Sequence, residues 1–76
     1  MNTRVLDQAR DEGGLTTFEL WLRYFALGGM STPLEVEAYL QGALEPTDHD
    51  YDVLALALNE RFVEIGGTHP VPYSDS

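Results

Sequence analysis

The chain contains no cysteine and no lysine, has a single tryptophan, and nowhere runs apolar for the twenty residues a membrane helix needs. Without cysteine there is no disulfide framework and no thiolate metal site, so packing or association must supply the stability. Residues 1–14, MNTRVLDQARDEGG, lack the apolar run of a signal peptide, and the expectation is a cytoplasmic protein that neither enters nor spans a membrane. The missing lysines leave four basic residues, Arg4, Arg10, Arg23 and Arg61, against thirteen acidic ones and a net charge of −9. Binding to nucleic acid begins with clustered cations that displace counterions from phosphate, so direct contact with DNA or RNA is not expected.

What the chain does have is helix punctuation. Thr16 and Glu19 have the spacing of a capping box, and Gly28–Gly29 closes the helix they open. Thr32, Pro33 and Glu35 repeat the start signal, predicting a second helix over 33–44. Thr47 or Asp48 caps a third, whose acidic first turn suits the helix dipole and which runs to Ile65 before Gly66–Gly67. Residues 3–12 predict a short, weak helix with Val5, Leu6 and Ala9 on one side, detached by Gly13–Gly14. Residues 67–76, with Pro70 and Pro72, predict an extended or disordered tail. The expected fold is all-α: a small three-helix bundle over 16–66, with a short extra N-terminal helix in the segment 1–15.

Helical spacing puts Tyr51, Leu54, Ala55, Leu58, Phe62 and Ile65 on one face of the third helix, with Leu56 and Val63 off it. In the second, Val36, Tyr39, Leu40, Ala43 and Leu44 lie together. The first is apolar on two sides, with Phe18, Trp21, Leu22 and Phe25 on one and Leu20, Tyr24 and Leu27 opposite. Glu19 and Arg23, four apart, predict a surface ion pair between them. A chain this short buries about 60 to 65% of its unfolded surface, too little to enclose three sides of one helix. One stripe is therefore expected to stay available. Leu20, Tyr24 and Leu27, with Leu56 and Val63, are the candidate partner-binding residues; the alternative is that the N-terminal segment and the tail fold over that stripe.

No constellation here points to catalysis, a cofactor or a metal. Asp48, Asp50 and Asp52 resemble the opening of a calcium loop, but Val53 and Asn59 stand where the loop needs glycine and a bidentate glutamate. His49 and His69 lack zinc spacing, and Ser31, Ser74 and Ser76 have no partnered base. The Gly-Gly pairs follow helices, whereas phosphate-cradling loops precede them.

The runs ELWLRYFALGG, EVEAYLQG and DVLALALNERFVEIG resemble small acidic helical proteins of high-GC bacteria and their phages, over residues 17–66. The resemblance implies an all-helical fold and carries no functional residue. The expected function is that of a non-enzymatic interaction or regulatory protein docking an apolar helix face, rimmed by carboxylates, onto a protein partner. A basic, nucleic-acid-associated protein suits the charge, and a homodimer is a second way to cover the face. A rival reading has Glu35, Glu37, Glu45, Asp48, Asp50 and Asp52 imitate a row of DNA phosphates and block a nuclease or DNA-binding protein. A small carboxylate enzyme is the remaining alternative.

Overall fold

The computed structural model describes residues 2–67 and 71–75, all helix, turn and loop. Four helices follow one another: α1 (Arg4–Glu12), α2 (Thr17–Ala26), α3 (Pro33–Gln41) and α4 (Asp48–Glu64). At 1.5 Å per residue α4 is about 25 Å long, enough to cross a molecule measuring 30 × 25 × 21 Å. It is the central beam, burying Tyr51, Val53, Leu54, Ala55, Ala57, Leu58 and Phe62, while α1 and α2 each pack on both α3 and α4.

The start signals work as their chemistry demands. Thr16 accepts the Glu19 N–H at 3.1 Å and Glu19 accepts the Thr16 N–H at 2.8 Å, and Thr32 with Glu35 repeats these distances. The Thr16 hydrogen bonds hold the Glu19 carboxyl below its ordinary value. Thr47 caps α4 by accepting the Asp50 N–H. After α2, the Gly28 N–H reaches the Phe25 carbonyl and the Gly29 N–H the Tyr24 carbonyl, the paired closure that needs a left-handed residue, supplied by Gly28 at φ 97°.

Three expectations are corrected. The second predicted helix stops at Gln41 rather than at 44, because Gly42 turns left-handed (φ 77°) and leaves Ala43 and Leu44 exposed. Ile65 falls just past the end of α4 and is exposed rather than core. The N-terminal helix is not detached: Leu6 and Ala9 join the core, Arg61 Nε donates to the Gly13 carbonyl at 2.8 Å, and the bundle therefore has four members. The predicted course of Thr68, His69 and Pro70 lies outside the described residues.

Candidate functional site

The two-sided apolar helix α2 does present one stripe to solvent, but on the opposite side from that expected. Leu20 and Tyr24 are fully buried, and Leu27 is half-buried against the core. Phe18, Leu22 and Phe25 stay 55%, 47% and 58% exposed.

Tyr24 decides the rotation. Its hydroxyl donates to Asp50 Oδ1 at 2.6 Å and accepts from the backbone N–H groups of Met30 (3.1 Å) and Ser31 (2.9 Å). Ser31 Oγ joins Tyr39 Oη at 2.9 Å and Asp50 Oδ2 at 3.4 Å, and Thr47 Oγ1 donates to the same oxygen at 3.1 Å. This network ties the α2–α3 turn to the start of α4 through directed bonds that Phe18 and Phe25 cannot make. Burial, reinforced by the bond to Asp50, raises the Tyr24 phenol above its ordinary 10.0. Gly29 completes the fit: a Cβ there would lie 2.2 Å from the Tyr24 ring.

The opposite stripe is an ordered aromatic ladder. Phe18 and Trp21 stack with ring centroids 5.6 Å apart, and Trp21 and Phe25 at 5.1 Å. Trp21 is half-buried, and its indole N–H donates to the Ser31 carbonyl at 2.9 Å, which holds the middle ring in place. Phe18 also lines an open concavity of about 410 Å³ with Thr16, Thr17, Pro33, Leu34 and Glu37. Leu34 and Met30 are largely exposed, so the start of α3 and the preceding turn add apolar surface to that of α2. With Phe18 and Phe25 each exposing about half of their area and Trp21 less, the ladder, Leu22 and Leu34 together present on the order of several hundred Å², the size that marks interaction sites.

The predicted Glu19–Arg23 pair does not form. Arg23 instead makes a two-pronged contact with Glu64, both nitrogens at 2.8 Å, which holds the Glu64 carboxyl below its ordinary 4.5. Arg10 is held by Asp7 and the Leu15 carbonyl, and Arg61 by the Gly13 carbonyl. Three of the four cations are thus bonded within the chain.

The acidic residues are dispersed. Glu35, Glu37, Glu45 and Asp48 are exposed, whereas Asp50 belongs to the Tyr24 network and Asp52 accepts the Ser74 N–H (2.7 Å) and hydroxyl (2.9 Å). Among the described residues no three acidic or histidine side chains gather as a metal site, and no helix is long and apolar enough to cross a membrane. A second concavity, about 670 Å³ between α1 and the end of α3, is lined by Asn2, Arg4, Gln8 and Gln41 among others. The one carboxylate among its lining residues, Asp7, is paired with Arg10 at 2.9 Å.

Of the predicted partner-binding residues, Leu56 and Val63 are exposed, 38% and 78%. At 100° per residue they share one face of α4 with Asp52 and Asn59, not the aromatic ladder. The reversed orientation of α2 had one signal in the sequence: the Gly-Gly turn after Tyr24 leaves amides at 30 and 31 without helical partners, and Tyr24 carries the polar tip that can reach them. Comparison with protein-family models, curated proteins and solved structures gives no match.

Proposed function

We propose that this is a non-enzymatic docking protein whose contact surface is the aromatic ladder Phe18–Trp21–Phe25 with Leu22 and Leu34, and whose partner presents an apolar helix flanked by basic residues. The observation that carries this reading is the exposed, stacked ladder on a helix whose other side is already committed to the core. An amphipathic helix laid along α2 would put its apolar positions against the ladder and the concavity beside Phe18. Its flanks would meet Glu19, Glu35 and Glu37, and the one cation of α2, Arg23, is taken by Glu64. A second copy would bring the same carboxylates to the twofold axis, so charge favours a basic partner over self-association. A surface that handles nucleic acid has that basic chemistry. The phosphate-mimic reading needs outward carboxylates in a row, and two of its six, Asp50 and Asp52, are bonded inward.

Trp21, the one tryptophan, sits inside the surface and reports on it. A synthetic amphipathic helix with leucines at i, i+3, i+4 and i+7 and lysine-rich flanks should shift Trp21 emission saturably. Phe25→Ser should weaken binding about tenfold or more, as for a central aromatic anchor. Apolar docking predicts a modest loss of affinity with added salt, whereas phosphate mimicry predicts a steep one. No saturable response, equal binding by Phe25→Ser, or a dimer at micromolar concentration in the ultracentrifuge would each reject the proposal.

A further inference from the structure

Away from the aromatic ladder, the outer face of α4 holds a segment of this same chain in the manner of a bound peptide. Asn59 Oδ1 accepts the Val71 N–H at 2.6 Å, and Asn59 Nδ2 donates to the Val71 carbonyl at 3.1 Å. Both main-chain groups of one residue point to the same side only when that residue is extended, and the Asn59 amide meets them as the edge of a neighbouring strand would. Two turns toward the start of α4, Asp52 accepts the main-chain N–H and the hydroxyl of Ser74 with its two carboxylate oxygens. Leu56 lies between Asn59 and Asp52 on the same helix face.

We infer that Asp52, Leu56 and Asn59 form a receptor site for an extended peptide of the type Val-Pro-X-Ser, which residues 71–75 occupy in cis and a segment of the same pattern in another polypeptide takes in trans. Two features distinguish this from a fixed structural clamp. First, recognition is largely of main chain, which any extended segment offers, with the Ser74 hydroxyl on Asp52 and a longer bond from Asn59 Nδ2 to the Tyr73 hydroxyl at 3.4 Å as the side-chain contacts. Second, only Val71 is buried, at 4% exposure, while Pro72, Tyr73 and Asp75 remain exposed. One small anchor and five hydrogen bonds, one of them long, make an attachment of the strength of a modest ligand, held mainly by the high local concentration of a tethered chain. The tail is then a built-in competitor for the site.

The test uses the full chain and a fluorescent synthetic peptide of residues 70–75. Ser74→Pro removes the two donors that Asp52 accepts and leaves the receptor intact, so it should bind the free peptide about tenfold or more tighter than the unaltered protein. Adding Asn59→Ala should abolish that gain, and a peptide with Asp in place of its single Val should not bind. In the unaltered protein, millimolar peptide should move the amide resonances of Val71 and Ser74 to free-tail positions, a readout independent of any variant's folding. Failure of Ser74→Pro to bind more tightly than the unaltered chain, indifference to Asn59→Ala, or unmoved tail resonances would overturn the inference in favour of a permanent clamp.

Discussion

At the scale of single residues, the molecule turns on a tyrosine and the glycine five positions after it. Tyr24 satisfies two turn amides and one carboxylate oxygen with a single hydroxyl. Tyr24→Phe keeps the ring and leaves those groups facing an apolar edge, which costs about 1 to 3 kcal/mol. Gly29→Ala inserts a methyl group where the ring already lies, and comparable destabilisation, about 1 to 3 kcal/mol or more, is expected from overpacking. Urea unfolding of the two variants checks both; a loss below about 0.5 kcal/mol in either would show that the network bends around the change. Gly28 at φ 97° meets nothing within 4 Å at its Cβ, so substitution there costs backbone strain alone.

At the scale of elements, α2 separates two roles that its composition blends. Its inner side is structural, and Leu20→Ala should cost about 2 to 5 kcal/mol through the cavity it leaves. Its outer side contributes little to the fold, and Phe25→Ser should change stability by less than about 1 kcal/mol, the worth of one exposed aromatic stacking contact. Thermal unfolding of the pair measures the contrast, and similar losses in both would mean the ladder is part of the core. The helix starts were legible because capping boxes are local: the hydroxyl and the carboxylate lie three residues apart, and both bonds form within that turn. The inward face of α4 was legible in Tyr51, Leu54, Ala55, Leu58 and Phe62, which keep helical spacing, but not in the burial of Val53 and Ala57 or the exposure of Ile65. The orientation of α2 was not, because hydrophobic burial has no direction and both sides carry large apolar residues.

At the scale of the whole molecule, the net charge of −9 and the few paired carboxylates set the response to pH. Glu19 and Glu64 have folded-state values below their ordinary 4.5, so their contribution is present above that value and is lost as pH falls through the folded values. Tyr24 and Tyr51 are raised above 10.0, mainly by burial, so their contribution is complete below 10.0 and is lost as pH rises beyond it. Stability should therefore hold between about pH 5 and 10 and fall on both sides. Phenolate absorbance should show Tyr24 and Tyr51 ionising above pH 10, together with loss of helical circular dichroism. Ionisation of Tyr24 and Tyr51 at or below pH 10 while the helices persist would contradict the assignment.

By itself the sequence determined the class of fold, the start of each of α2, α3 and α4, and the presence of more apolar surface on α2 than a small bundle encloses. These follow from residue chemistry acting over a turn or two and from the ratio of surface to volume. Only the tertiary structure decided that α1 belongs to the bundle, that Arg23 turns from Glu19 to Glu64, that Leu20 and Tyr24 face inward, and that Asp52 and Asn59 hold the chain beyond α4. Each of those outcomes rests on directed hydrogen bonds or close contacts between residues far apart in sequence, for which local periodicity carries no signal.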